Sequence, residues 1–96
     1  MLHIQTKVDD MTNQTNKVAL VTGASSGIGQ VTAQALANAG YRVFGTSRKA
    51  AVSLPGVTML VCDVTDDVSV RAVVEEIVRQ AGRIDLVVNN AGIGLL

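Results

Sequence analysis

The stretch Thr22-Gly23-Ala24-Ser25-Ser26-Gly27-Ile28-Gly29 constrains this chain more than any other. It follows Val18-Ala19-Leu20-Val21-Thr22, a short apolar, β-rich run that reads as a fully buried parallel strand. It precedes a segment with alanines at 33, 35, 37 and 39, which favour a helix and permit close packing on a sheet. Glycine serves any turn, so the triplet alone says little; a strand before it and a helix after it give it meaning. Gly23 permits a tight turn off the strand, Gly27 lets the backbone approach a ligand, and Gly29 removes a side chain where helix and strand meet. A helix starting there offers free N–H groups and the positive end of its dipole to an anion such as a pyrophosphate. The spacing is G-x-x-x-G-x-G, not the commoner G-x-G-x-x-G.

The rest of the chain extends this beginning. Ile28, Val31, Ala35, Leu36 and Ala39 are spaced for one apolar helix face, and Gly40 stops that helix. Tyr41 to Thr46 reads as a second strand and Val57 to Cys62 as a third. The link between them, 47–56, contains Pro55-Gly56 and is short for a parallel crossover, leaving room for about one helical turn at most. Val70, Val73, Val74, Ile77, Val78 and Ala81 fall on one face of a second helix, with Thr65 or Asp66 as its cap and Gly82 as its end. Glu75 and Arg79 are spaced as an i,i+4 ion pair. Asp85 to Asn89 is a fourth strand, followed by Asn90-Ala91-Gly92. The order β-α-β-β-α-β predicts an α/β fold: a parallel sheet with helices on its faces. Residues 1–16 read as a polar tail that holds the only histidine, His3, and Met11 within it is an alternative start.

Composition narrows the class. Apolar residues make up 48 % of the 96, too many for a disordered chain. Eight basic residues balance eight acidic ones, so the basic excess of a nucleic-acid binder is missing. The single cysteine, Cys62, forms no internal disulfide and no zinc site, and it reads as a core residue. No apolar run reaches the roughly 18 residues of a membrane helix, and the first residues lack the apolar stretch of a secretory signal. A cytoplasmic location with no membrane, nucleic-acid or metal partner is the expectation.

Residues 22–29 resemble the cofactor motif T-G-x-x-x-G-[hydrophobic]-G of the short-chain dehydrogenase/reductase family, without a departure. Two further motifs of that family stand in order: Asp63-Val64 after the third strand and Asn89-Asn90-Ala91-Gly92 after the fourth. The resemblance covers roughly residues 17–96 and implies a doubly wound (Rossmann) domain, of which these are the first four strands. It implies that Gly23, Ser25, Ser26, Gly27 and Ile28 wrap the pyrophosphate and adenosine ribose of a nicotinamide dinucleotide. Asp63 would accept a hydrogen bond from the adenine amino group while Val64 packs on the ring. Asn90, Ala91 and Gly92 would border the ribose on the nicotinamide side.

Cofactor choice turns on the end of the second strand, where an acidic side chain would bind the ribose hydroxyls and repel a 2′-phosphate. Here the strand ends Gly45-Thr46-Ser47-Arg48-Lys49, with no acid. Arg48 falls about 20 residues after the glycine motif, where the discriminating residue belongs, and its planar fork suits a phosphate dianion. Ser47 and Ser26 add hydroxyl donors. NADP (NADPH) over NAD is the expectation.

The family oxidises or reduces carbonyl and hydroxyl groups with a Tyr-x-x-x-Lys pair, a serine and a further asparagine. The only tyrosine, Tyr41, has Gly45 four places on instead of lysine, and it lies at the wrong end of its strand. The resemblance therefore implies that the catalytic residues fall after Leu96, and that residues 17–96 are the cofactor-binding portion of a longer oxidoreductase. That protein would act on a small carbonyl or alcohol substrate and form a homo-oligomer. Two rivals remain at this stage: a non-catalytic nucleotide-binding half-domain, and a Rossmann-type redox-sensing regulator without the Tyr-x-x-x-Lys pair. A fourth strand ending the sheet would leave an apolar edge, Asp85 to Asn89, without proline or lysine to protect it.

Overall fold

A computed structural model describes residues 17–25, 27–49 and 53–90. The predicted tail therefore lies outside the described residues, as do Ser26, Ala91 and Gly92. The elements run β1 (Val18–Val21), α1 (Gly27–Asn38), β2 (Arg42–Ser47), β3 (Val57–Val61), α2 (Asp67–Ala81) and β4 (Leu86–Val88). All strand pairs are parallel, in the order β3-β2-β1-β4. The chain thus steps outward from β1 to β2 and β3, then crosses back to lay β4 on the other side of β1. This is the α/β arrangement that the element order predicts.

Strand geometry explains why β1 is apolar throughout. Successive side chains point to opposite faces, and both faces of this sheet are covered. Val18 and Leu20 join Phe44, Cys62, Val73 and Ile77 on the α2 side. Ala19 and Val21 join Ala24, Ala33, Val43 and Leu54 on the α1 side. A buried strand between two layers has no solvent face, so it shows no alternation.

Helix α1 corrects the predicted face. Its buried residues are Gly29 and Ala33, with Leu36 and Ala37 packed beside the core. Ile28 and Val31 are 71 % and 69 % exposed, and Ala35 and Ala39 also face outward. Close approach to the strands, rather than side-chain size, decides which face turns inward: a Cβ on Gly29 would stand 2.0 Å from the Gly23 carbonyl oxygen. Only small residues fit there, and periodicity of large apolar side chains points elsewhere.

Helix α2 follows its predicted stripe in part. Val73 and Ile77 are buried, whereas Val70, Val74 and Val78 stay exposed along the flank. Of the two candidate caps Asp66 serves, its carboxylate accepting the Val68 N–H at 3.0 Å. The helix ends at Gly82, whose N–H donates to the Val78 carbonyl at 2.8 Å. Arg79 pairs with Glu76, not with Glu75 as the i,i+4 spacing predicts. Gln80 donates to the same carboxylate, and the two donors together hold the Glu76 carboxyl down to about 2. The link before β3 shows a bridge from Leu54 to Val57 and a turn at Pro55-Gly56, with no helix among its described residues. Gln34 fastens α1 to that turn by donating to the Pro55 carbonyl at 2.8 Å.

Asp85 locks the start of β4 to the start of β1. Its N–H donates to the Val18 carbonyl at 2.8 Å, and its carboxylate accepts the Val18 N–H at 2.8 Å. Arg83 donates to the other carboxylate oxygen, its Nε at 3.0 Å. Partial burial pushes the Asp85 carboxyl up, but the Arg83 and Val18 hydrogen bonds and the charges of Arg83 and Lys17 outweigh it and leave it lowered. A carboxyl lowered on folding stabilises the fold above the unfolded value of about 3.9, and that contribution fades as pH falls through the folded value. Asp85→Ala leaves the Val18 N–H, on a residue only 2 % exposed, without this acceptor, an expected loss of about 1–3 kcal/mol. Asp85→Asn keeps an acceptor oxygen but cannot titrate, so its stability should fall less steeply below pH 4 than the wild type's. Denaturant melts followed by circular dichroism from neutral pH to about pH 2 check both; an acid limb unchanged by Asp85→Asn contradicts the assignment.

Candidate functional site

The carboxyl ends of β1, β2 and β3 open into one cleft of about 390 Å³. Ligands of open α/β sheets sit outside the carboxyl ends of the strands. Gly23 and Ser25 line it from the turn after β1, and Thr46, Ser47, Arg48 and Lys49 from the end of β2. Cys62, Asp63, Val64 and Thr65 complete it after β3. Among the sequence-predicted residues, Gly23, Ser25, Arg48, Asp63 and Val64 therefore share one wall.

The turn after β1 is held from two sides. On the β2 side, the Thr46 hydroxyl accepts the Gly23 N–H at 3.2 Å and the Thr46 carbonyl accepts the Ala24 N–H at 2.8 Å. On the β4 side, Asn90 donates its side-chain amide to the Gly23 carbonyl at 3.1 Å and its backbone N–H to the Thr22 hydroxyl at 2.8 Å. The Thr22 N–H donates to the Val88 carbonyl at 3.0 Å, so the β1–β4 pairing continues into the turn. Gly29, in the first turn of α1, lies immediately behind it, and a Cβ there would stand 2.6 Å from the Asn90 amide nitrogen. Gly27 adopts φ +61°, a left-handed conformation that L side chains rarely take, and a Cβ there would meet nothing within 4 Å. Among the described residues the backbone at Gly27 is bare on that side, and exposed Ile28 follows it at the start of α1.

Asn90 is thus placed as a brace on Gly23, and it does not line the cleft. Its side-chain amide donates to the glycine turn and keeps a second amide hydrogen and an acceptor oxygen for the ribose contact that the resemblance implies.

The far wall carries the charge. The Thr65 hydroxyl donates to Asp63 Oδ1 at 2.6 Å and the Thr65 N–H to the same oxygen at 3.0 Å. Those two bonds, with the Arg48 charge behind them, hold the Asp63 carboxyl below the usual range despite a small opposing effect of burial. The doubly bonded oxygen fixes the carboxylate and leaves Oδ2 as its second acceptor. Ser69 accepts the Asp63 N–H at 3.0 Å, anchoring the loop to α2. Thr46 and Ser47 are buried, at 2 % and 7 % exposure. Each hydroxyl accepts a backbone N–H, from Gly23 and from Lys49 respectively, and neither hydroxyl proton has an acceptor among the described residues. Ser47 can offer its proton to the cleft as a donor. Arg48 and Lys49 are exposed at its rim.

Sequence reasoning did not select Thr46, Cys62, Thr65 or Thr22 for this site. Thr65 has a readable signal, since an aspartate two residues before a threonine is a common self-bonding turn. Thr46 has none: its role depends on β2 lying next to β1.

The model of the short chain dehydrogenase family matches residues 17–95. The chain belongs to this family. A 3-ketodihydrosphingosine reductase of Bacteroides thetaiotaomicron is 51 % identical over 79 residues, which are 82 % of this chain and 29 % of that protein. The 3-oxoacyl-[acyl-carrier-protein] reductase FabG of Escherichia coli is 42 % identical over 88 residues, 84 % of this chain and 36 % of that reductase. Among solved structures, the ligand-free aldohexose dehydrogenase of Thermoplasma acidophilum superposes with a TM-score of 0.75 at 38 % identity, covering 80 % of this chain and 30 % of that one. The chain spans about a third of the length of these short-chain dehydrogenase relatives. No helix among the described residues is long and apolar enough to cross a membrane.

Proposed function

We propose that residues 17–96 form the NADP-binding portion of a short-chain dehydrogenase/reductase that interconverts a small-molecule carbonyl and its alcohol. The observation that carries the reading is the cleft itself: a glycine turn on one side, and the buried Ser47 hydroxyl beside Arg48 and Lys49 on the other. These residues fit a nicotinamide dinucleotide. The open backbone at Gly27 accommodates the pyrophosphate at the start of α1, with Ser25, Ser26 and Ile28 around it. Asp63 Oδ2 accepts from the adenine amino group, with Val64 against the ring. Arg48, with the Ser47 hydroxyl, takes the 2′-phosphate. Asn90, Ala91 and Gly92 border the nicotinamide ribose, and the Asn90 side chain also supports the turn beneath.

When bound, the nicotinamide ring gives or takes the hydride. This chain's own part is to bind and orient the dinucleotide and to select the 2′-phosphate. The serine, tyrosine and lysine that move the proton come from sequence after Leu96, and the complete protein is an oligomer. Among the described residues Asp63 is the acid that lines the cleft, and the end of β2 presents Arg48 and Lys49 where an acid would repel a dianion at the ribose.

Fluorescence titration of the chain with NADPH and with NADH tests the reading. The expected result is tighter binding of NADPH by about tenfold or more. Equal affinities overturn the preference, and no binding of either overturns the function.

A further inference from the structure

We propose that Thr46 is the positioning residue of the phosphate-facing turn, acting through Gly23 and Ala24; this rests on the cleft being the dinucleotide site. Where the chain leaves β1 it loses its regular ladder partners, and every N–H so released needs an acceptor. Thr46 supplies two in succession, its hydroxyl to Gly23 at 3.2 Å and its carbonyl to Ala24 at 2.8 Å. With Asn90 holding the Gly23 carbonyl from β4 at 3.1 Å, the peptide planes on both sides of Gly23 are fixed between two strands.

Three features make Thr46 fit for this. It is β-branched and 2 % exposed, so its hydroxyl occupies one restricted rotamer. The residue before it is Gly45, where a Cβ would stand 2.7 Å from the Ala24 Cβ, so the turn lies directly on β2. And because Thr46 takes the Gly23 and Ala24 amides, the free amides at the start of α1 are those left for an anion. Thr46 thereby sets where those later amides stand. A turn without it keeps its sequence motif and loses its aim.

The test compares Thr46→Val, which keeps the shape and removes the acceptor, with Thr46→Ser, which keeps the hydroxyl. Each chain is titrated with NADPH, which carries a pyrophosphate, and with adenosine 2′-monophosphate, which does not. Thr46→Val is expected to bind NADPH about tenfold more weakly and the monophosphate within about twofold of the wild type, and Thr46→Ser to restore NADPH binding. Equal weakening of both ligands by Thr46→Val marks a general loosening and overturns the proposal. So does wild-type NADPH affinity in Thr46→Val, or a Thr46→Ser as weak as Thr46→Val. A wild-type chain that binds neither ligand refutes the dinucleotide reading beneath it, a distinct failure. Amide exchange of Gly23 keeps the question open to decision if Thr46→Val does not fold: protection in wild type and in Thr46→Ser is expected, and fast exchange in the wild type overturns the assignment.

Discussion

Gly29→Ala is expected to abolish nucleotide binding and to lower the melting temperature by roughly 10 °C, the largest effect of any single methyl group in this chain. The added Cβ would stand 2.0 Å from the Gly23 carbonyl oxygen, 2.8 Å from its carbonyl carbon and 2.6 Å from the Asn90 side-chain nitrogen. Two of these atoms are backbone, so no rotamer change relieves the contact; α1 must move away from the turn. That movement breaks the Asn90 hydrogen bond to Gly23 and shifts the free N–H groups of the helix start. Affinity for NADPH should fall by about 100-fold or more. Gly27→Ala is the informative contrast. Its Cβ meets nothing within 4 Å, and only the left-handed φ of +61° opposes it, at about 1–2 kcal/mol. Thermal melts and titrations of the two variants side by side check the argument. A Gly29→Ala chain that melts and binds like the wild type would falsify the close-packing account.

Arg48→Asp should reverse the proposed preference for NADPH. In the wild type a guanidinium at the cleft rim would face the 2′-phosphate dianion; in the variant a carboxylate would, and the same carboxylate would accept hydrogen bonds from the ribose hydroxyls of NADH. The ratio of NADPH to NADH affinity is expected to drop by about 100-fold, mostly through loss of NADPH binding. Because Arg48 stands at an exposed rim, salt screens part of this effect, and raising ionic strength should narrow the wild-type ratio toward that of the variant. Arg48 also helps to hold the Asp63 carboxyl low, so the substitution should raise that carboxyl. The same titrations repeated at low and high salt decide the matter; a ratio that Arg48→Asp leaves unchanged removes Arg48 from the selection.

Much of this protein is legible in the linear sequence. An apolar run with no alternation, a glycine turn and an alanine-rich segment dictate strand, turn and helix, because burial on both faces demands such a strand. The Asp66 cap and the Gly82 end of α2 follow from local chemistry that needs no distant partner. Arg48 and Asp63 reach the cleft because motif position along a parallel strand fixes which end of the sheet a residue occupies.

Tertiary structure decided the rest, through contacts that exist only once the segments are packed together. The inward face of α1 is Gly29, Ala33, Leu36 and Ala37, since the nearness of the Gly23 carbonyl excludes anything larger than glycine at 29. Asn90 became a brace on Gly23 because β4 returns beside β1. Thr46, a polar residue near the end of β2, became the acceptor for the glycine turn only once β2 lay on the other side of β1. Periodicity reports which residues avoid water, and it carries no information about which backbone must touch which.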